Sequence, residues 1–383
     1  MNGVRQAFVG AQIHDGLALH VDHALVVGDD GYLSIQPLGS LPADCPTQKL
    51  GGGLIAPGFV DLQVNGGGGV MFNDEQSVAV LRKIAEAHAT TGTQALLPTL
   101  ITDTPERTRA AIDAVEQAIA ENVAGIVGIH LEGPHLSVAR KGAHDAKLIR
   151  TMTDEDLSVF RHAADRLPNV MITVAPESAS PAQIRSMSEA GIMVSLGHTD
   201  ADCQTCHAAF DAGARCVTHL FNAMSQLGNR EPGLVGATLE RGDIYAGLIA
   251  DGIHVHPAAI RIALAAKPNS ERVFLVTDAM ATAGSSIKSF LLNGREVFRQ
   301  DHRLTLADGT LAGADLDMPQ ALSVMTETVG DEMVSAVARA TSTPAELLRE
   351  RGDVGRLGPS SRSALYFEDG FSKPKTLSSA GAV

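Results

Sequence analysis

The sequence has few cysteines, which limits the kinds of metal or redox site that it can build. Its four cysteines include a single Cys-x-x-Cys pair, Cys203 and Cys206. No second pair is present to complete a four-cysteine zinc site. The pair lies in the segment TDADCQTCHAAFDAG, whose pattern predicts an amphipathic helix. We therefore expect reduced, buried or half-buried thiols, as in a cytoplasmic protein.

Basic residues and long apolar runs are also scarce. The 30 Lys and Arg residues against 44 Asp and Glu give a formal net charge of −14. This charge argues against a nucleic-acid partner, because DNA and RNA bind basic surfaces. The negative net charge does not exclude a small anionic ligand, since such a ligand needs only a few basic side chains at its site. No apolar stretch reaches the roughly 20 residues of a membrane span. The segment MNGVRQAFVG also lacks the pattern of a secretory leader, so we expect a cytoplasmic protein with no membrane partner.

What the sequence does contain is a regular alternation of strand-like and helix-like segments. Residues 1–56 carry short alternating apolar runs, which are typical of a β-meander. From residue 57 onward, eight apolar runs alternate with segments of helical spacing, which predicts a (β/α)8 TIM-type barrel over residues 57–352. An open doubly wound sheet is the alternative, but no Gly-x-Gly-x-x-Gly turn opens it. The runs are GFVDLQV, TQALLPTLI, GIVGIHLEG, VMITVAPE, IMVSLGHT, RCVTHLFNAM, YAGLIADGIHV and RVFLVTDAM.

The two ends of the chain share a strand-like character. Residues 353–383 include the segment VGRLGPSSRSALYFEDG, which again has the pattern of strands. We therefore predict that residues 1–56 and 353–383 together form a small β-sandwich domain beside the barrel.

Reactive side chains stand at the ends of several predicted barrel strands. In a parallel barrel these ends share one face, where the active site lies. Glu132, His198 and His219 provide one carboxylate and two imidazoles, a common protein ligand set for a catalytic divalent cation. Asp278 ends another strand and is placed to act as a proton acceptor. A single strand-end histidine is more often structural, but several at neighbouring strand ends favour a metal site.

The first barrel strand ends in two amides. Gln63 and Asn65 stand two residues apart, so their side chains face the same side of the strand. They therefore point together toward the predicted metal face.

Seven motifs make the chain similar to the N-acetylglucosamine-6-phosphate deacetylase family of the amidohydrolase superfamily. They occur in the family's order and span about residues 57–318. The motifs are DLQVNG, HLEGPHLSVARKGAH, SLGHT, THLFNAM, REPGLVGA, DGIHV and LVTDAM.

The resemblance implies roles for individual residues. Many amidohydrolases carry His-x-His where this chain has Gln63 and Asn65, which implies a site with one metal ion instead of two. Zinc is the expected ion, while iron, manganese or cobalt could use the same ligands.

The resemblance makes Glu132, His198 and His219 the ligands and Asp278 the acid/base. His144 would stabilise the oxyanion, and Met318 would face either the acetyl group or the core. The further residues implied in substrate binding are Ala143, Asn222, Ala223, Arg230, His254, Gln63 and Asn65.

The implied reaction is hydrolysis of N-acetylglucosamine 6-phosphate to glucosamine 6-phosphate and acetate, in amino-sugar catabolism and recycling. In related enzymes the equivalent of Arg230 can reach the partner's site, so the resemblance also implies a homodimer. Three alternatives stay open. The chain could deacetylate N-acetylgalactosamine 6-phosphate, it could be another amidohydrolase such as a dihydroorotase-like enzyme, or it could be a non-catalytic sugar-phosphate-binding protein. The missing His-x-His disfavours the second, and the intact ligand-and-base set disfavours the third.

Overall fold

The computed structural model of the protein describes residues 4–379 and 381–382. Seven short strands come first. Four of them form a sheet in the order β5-β4-β1-β6, in which β1 runs antiparallel to β4 and parallel to β6. The seven strands are β1 (Val4–Val9), β2 (Gln12–His14), β3 (Leu19–His20), β4 (His23–Gly28), β5 (Leu33–Pro37), β6 (Thr47–Lys49) and β7 (Leu54–Ala56).

The next part of the chain alternates between strands and helices, as the sequence predicts. Eight of its strands form one parallel sheet, in the order β17-β16-β15-β14-β13-β12-β11-β8. The elements are β8 (Phe59–Val64), β9 (Gly66–Gly67), β10 (Val70–Met71), α1 (Val78–Ala89), β11 (Thr93–Ile101), α2 (Pro105–Ala120), β12 (Ile129–Glu132), α3 (Asp154–Arg166), β13 (Val170–Val174), α4 (Pro181–Glu189), β14 (Met193–Leu196), α5 (Cys203–Asp211), β15 (Cys216–Val217), α6 (Gly233–Glu240), β16 (Tyr245–Leu248), α7 (Pro257–Ala266) and β17 (Val273–Leu275).

Burial and helix caps explain why these segments fold as they do. All six residues of β8 are buried, as expected for a strand that is covered on both faces. Helices α1–α5 and α7 each begin at a side chain that accepts a backbone N–H group, whereas α6 begins at Pro232 without one. The Ser77 side chain caps α1, and Thr153 caps α3 reciprocally with Asp156.

The eight-stranded sheet closes into a ring between its first and last strands. Val64, at the end of β8, forms a parallel bridge with Ala279, which follows β17. The Asn65 N–H donates to the Ala279 carbonyl at 2.9 Å, and the Asp278 N–H donates to the Gln63 carbonyl at 3.1 Å. The seam of the barrel therefore runs through residues that the sequence places at the active site.

A four-stranded antiparallel meander and three helices follow the barrel strands. A six-residue π-helical stretch, Val324–Val329, continues the first of these helices. The elements are β18 (Ser289–Leu292), β19 (Arg295–Gln300), β20 (Arg303–Leu306), β21 (Leu311–Ala314), α8 (Met318–Ser323), α9 (Met333–Ala340), α10 (Ser342–Ala345), β22 (Ser363–Phe367), β23 (Lys375–Ser378) and β24 (Gly381–Ala382).

Both ends of the chain contribute to the second small sheet. Its order is β24-β23-β22-β7-β2-β3, and Leu365 of β22 pairs with Ala56 of β7. The two small sheets share one apolar core. Phe8 and Leu25 of the first sheet belong to the same buried cluster as Ile55 and Leu377 of the second. The predicted barrel with an end-formed β-sandwich is thus confirmed. The domain boundaries after residues 56 and 352 stay predictions, and residues 1–3, 380 and 383 lie outside the described part of the chain.

Within the described residues, no helix combines the length and the apolar character that crossing a bilayer requires.

Candidate active site

The carboxyl ends of four barrel strands bring the predicted reactive residues together. Glu132 is the last residue of β12, while His198 and His219 follow the ends of β14 and β15. Asp278 follows β17. All four side chains are buried or line one cavity of about 380 Å³. The spatial convergence that the sequence predicts is therefore present.

Glu132, His198 and His219 form a compact group of ligand atoms. Glu132 Oε1 lies 3.2 Å from His198 Nε2 and 3.1 Å from His219 Nε2, and the two Nε2 atoms are 3.1 Å apart. Burial alone would raise the pKa of Glu132, but hydrogen bonds from His198 and His219 outweigh it and hold the pKa well below its usual range. The carboxyl group is therefore an anion, as a metal ligand must be.

The group fits a divalent cation by its chemistry and its spacing. Metal bonds of about 2.0–2.1 Å in a tetrahedral site separate the ligand atoms by roughly 3.3 Å, close to the distances found here. His198 Nδ1 lies 2.9 Å from the Arg140 carbonyl, to which it can only donate. This hydrogen bond keeps one ring proton on Nδ1, so a metal ion at the site would replace the Nε2 proton that donates to Glu132.

The two amides of the first barrel strand hold Asp278 in place. Asn65 Nδ2 donates to Asp278 Oδ1 at 2.7 Å, and Gln63 Nε2 donates to the same oxygen at 3.2 Å. Gln63 Nε2 also lies 3.2 Å from Glu132 Oε1, so it links the base to the ligand group. Burial, followed by the charge of Glu132, raises the pKa of Asp278 to about 6. A carboxyl group with such a pKa can take up and release a proton near neutral pH.

The backbone at the strand ends turns sharply to point these side chains inward. His198, His219 and Asp278 have φ angles of 48°, 31° and 50°. Residues with a Cβ seldom adopt this left-handed region, and each such residue costs on the order of 1 kcal/mol or more. The surrounding fold therefore supports strain at three of the four reactive positions.

His144 is a neutral hydrogen-bond donor beside the ligand group. Its Nε2 lies 3.9 Å from Glu132 Oε2. On the other side of the ring, Nδ1 accepts from the Thr102 backbone N–H at 3.4 Å and lies 2.7 Å from the Thr102 hydroxyl. Burial, followed by the charge of His198, lowers the pKa of His144 to about 3. The proton of the neutral ring therefore sits on Nε2, the nitrogen on the Glu132 side.

Most of the residues implied in substrate binding surround the same cavity. Ala143, Asn222, Ala223 and His254 line it together with Asn65. His254 Nδ1 lies 2.6 Å from Asp251 Oδ2, which accepts its proton and leaves Nε2 for a ligand.

Three predicted contacts lie elsewhere. Gln63 reaches the site through its hydrogen bonds to Asp278 and Glu132 and is not among the lining residues. Met318 is fully buried in the barrel core. Arg230 is exposed on the segment between β15 and α6 and is not among the residues that line the cavity. The substrate-binding roles of all these residues stay predictions.

The structure also adds residues that the sequence reading missed. Asp61 is fully buried, and its Oδ2 accepts from the Thr277 hydroxyl at 2.5 Å. Burial raises the pKa of Asp61 to about 7. Asp61 stands two residues before Gln63 on the same face of β8, so the alternation of polar residues could have revealed it. The cavity wall further includes Arg140, Ile249, Met280, Thr310 and Leu311.

Comparisons with known proteins agree with this architecture. The amidohydrolase family model matches residues 54–362. An N-acetylgalactosamine-6-phosphate deacetylase of Shewanella sp. (strain ANA-3) is 41% identical over 88% of this chain and 84% of its own. An N-acetylglucosamine-6-phosphate deacetylase of Haemophilus influenzae is 32% identical over 90% of each chain. The crystal structure of N-acetylglucosamine-6-phosphate deacetylase from Pasteurella multocida is 34% identical, covers 97% of both chains and superposes with a TM-score of 0.90.

Proposed function

Because the chain belongs to the amidohydrolase family, we propose that it hydrolyses the N-acetyl group of N-acetylglucosamine 6-phosphate in amino-sugar catabolism and recycling. The products are glucosamine 6-phosphate and acetate. The enzyme is a hydrolase of a linear amide C–N bond, and we place it in the cytoplasm.

The placement of Asp278 opposite the ligand group carries this proposal. One amide side chain, that of Gln63, donates at 3.2 Å both to Asp278 Oδ1 and to Glu132 Oε1. A binding protein has no need for a buried carboxyl group with a raised pKa beside a cation site. Amide hydrolysis needs both, since a water must be deprotonated and a poor leaving group must be protonated.

We propose that Glu132, His198 and His219 hold one divalent metal ion per subunit and that this ion is zinc. Two imidazoles and a carboxylate suit zinc, although iron, manganese or cobalt could use the same set. When bound, such an ion lowers the pKa of water and polarises a carbonyl group. The amides of Gln63 and Asn65 are weak ligands, which supports one ion instead of two.

Asp278 carries the proton transfers, and His144 stabilises the charge that develops on the carbonyl oxygen. Asp278 accepts a proton from the attacking water as the new C–O bond forms. His144 donates through Nε2–H to the carbonyl oxygen, which gains negative charge in the tetrahedral intermediate. Asp278 then passes the proton to the departing nitrogen while the C–N bond breaks. The proton that Asp278 takes up is the one it releases, so the residue returns to its starting state with each turnover.

The 6-phosphate needs cationic or hydrogen-bonding partners at the mouth of the cavity. His254 lines the cavity, and its ring is held by Asp251. Arg230 is exposed on the segment between β15 and α6. We propose that the chain forms a homodimer in which Arg230 of one subunit reaches the phosphate bound by the other. A guanidinium group suits a phosphate because it donates two parallel hydrogen bonds.

The test is acetate release from N-acetylglucosamine 6-phosphate by the metal-loaded protein. Chelation should abolish turnover, and addition of one equivalent of zinc per subunit should restore it. A protein that binds the sugar phosphate with full metal content but releases no acetate would contradict the proposal.

The galacto epimer is the second candidate substrate. The 41% identical relative is named for N-acetylgalactosamine 6-phosphate, and the 32% identical one for the gluco compound. The two sugars differ at one hydroxyl group, so parallel measurements of kcat/KM on both decide between them. A value for the galacto sugar that exceeds the gluco value would assign the enzyme to the epimer.

A further inference from the structure

The outer surface of the barrel carries a second group of side chains that could bind a metal ion. This group shares no residue with the proposed catalytic metal site. It consists of Cys203 and His207 on α5 and Glu240 at the end of α6. We propose that these three residues, called the α5–α6 site below, bind a thiophilic divalent cation such as zinc. This site is independent of the catalytic metal and of the proposed substrate.

The geometry brings one sulfur, one nitrogen and one oxygen ligand together. Cys203 and His207 are four residues apart on α5 and therefore lie on the same face of the helix. His207 Nε2 lies 3.2 Å from Glu240 Oε2. The ligand atoms of all three residues lie within 4.8 Å of one another. Small side-chain rotations suffice to bring them around one ion, and the exposed Glu240 is free to make them.

The backbone that carries Cys203 is firmly held. The Cys203 N–H donates to Glu231 Oε1 at 2.7 Å. The Asp202 side chain caps α5 by accepting the Thr205 N–H at 2.7 Å. A cation at this position would therefore bind a largely preorganised helix end, with only the exposed carboxylate left to order.

The two cysteines of the Cys-x-x-Cys segment do not form a pair of metal ligands, as they do in zinc ribbons. Cys206 is fully buried, and its Sγ lies 3.9 Å from the Ala201 carbonyl. It is part of the barrel's apolar cluster, whereas Cys203 is half-buried at the surface. Only the first thiol of the pair is therefore available to a cation, and its partners come from His207 and Glu240 instead of Cys206.

The charges around Cys203 favour a cation. Burial raises the pKa of the Cys203 thiol, and Glu240, Glu231 and Asp202 raise it further. The same carboxylates attract positive charge to this part of the surface. A bound ion would take Cys203 as the thiolate. The mixed sulfur, nitrogen and oxygen ligands suit zinc or cobalt better than magnesium or calcium, which prefer oxygen alone.

Cobalt(II) titration separates this site from the catalytic one. A cobalt–thiolate bond gives a strong near-ultraviolet charge-transfer band, and the catalytic ligands Glu132, His198 and His219 include no sulfur. Cobalt added to the full-length protein under reducing conditions should therefore produce the band through Cys203 alone. Zinc should displace the cobalt and remove the band.

Variants assign the band to the three residues. Cys203→Ser should abolish it and leave acetate release unchanged, and His207→Ala should weaken cobalt binding at least tenfold. Cys45→Ser, at a half-buried thiol outside the group, is the matched control and should leave the band intact. The proposal is overturned if the wild-type protein shows no band, if the band survives Cys203→Ser, or if His207→Ala leaves the affinity unchanged.

Discussion

The tautomer of His144 depends on Thr102, and a single substitution tests this dependence. Thr102→Val keeps the shape of the side chain and removes its hydroxyl group. The hydroxyl lies 2.7 Å from His144 Nδ1, and the Thr102 backbone N–H donates to the same nitrogen at 3.4 Å. Without the hydroxyl, the ring is less firmly held in the Nε2–H tautomer, which is the form able to donate to the substrate carbonyl.

The expected loss follows from the strength of one buried hydrogen bond. A neutral bond of this kind contributes about 0.5–1.5 kcal/mol, so kcat should fall roughly 2- to 12-fold. Direct removal of the donor in His144→Ala should cost about 10²- to 10³-fold. KM should change little in Thr102→Val, because the hydroxyl does not line the cavity. The smaller loss reflects the backbone N–H, which the substitution retains.

The assay is steady-state acetate release by four proteins: the wild type, Thr102→Val, His144→Ala and the double variant. If Thr102 acts through His144, the double variant should be no slower than His144→Ala. Thr102→Ser keeps the hydroxyl group and should recover most of the wild-type kcat, and nitrogen NMR of the imidazole should show the tautomer shift in Thr102→Val alone. Independent, multiplicative losses in the double variant would refute the reasoning, as would a Thr102→Ser variant as slow as Thr102→Val.

Three further predictions concern the base, the phosphate and acid stability. Asp278→Asn should keep its metal content and lower kcat by about 10²- to 10⁴-fold; unchanged turnover would remove Asp278 from the proton transfers. Arg230→Ala should raise KM roughly 10- to 100-fold for the 6-phosphate but not for N-acetylglucosamine itself, and equal effects on both sugars would exclude a phosphate contact. Burial lowers the pKa of His135 to about 4. Between pH 4 and about 6.5 the unfolded chain therefore binds more protons than the folded protein does. The free energy of unfolding should decrease by on the order of 3 kcal/mol as the pH falls through this window. His135→Phe, whose ring can pack on Phe160, should flatten this part of the pH dependence in urea unfolding, and an unaltered pH dependence would contradict the assignment.

Much of this architecture could be predicted from the sequence because its signals are local. Each barrel strand is a short apolar run, and the residue that ends the run is read directly from the chain. Glu132, His198, His219 and Asp278 were predicted to meet because parallel strands place their carboxyl ends on one face. The structure brings their side chains to one cavity.

The residues that escaped prediction depend on contacts between distant segments. Thr102 has no motif of its own, and its role becomes visible only when His144 lies beside it. Thr310 and Leu311 line the cavity because the meander after β17 folds back over the barrel. Arg140 acts through its backbone carbonyl, which accepts a hydrogen bond from His198 Nδ1. Any residue type could supply this backbone carbonyl, so the sequence does not reveal the contact.

The joint between the first and last barrel strands has a consequence for how reactivity arises. Asp278 is held by amides that stand more than two hundred residues earlier in the chain. The last barrel strand thus brings the proton acceptor, and the first barrel strand brings the amides that orient it. The orientation of Asp278 therefore depends on closure of the barrel between β8 and the segment after β17.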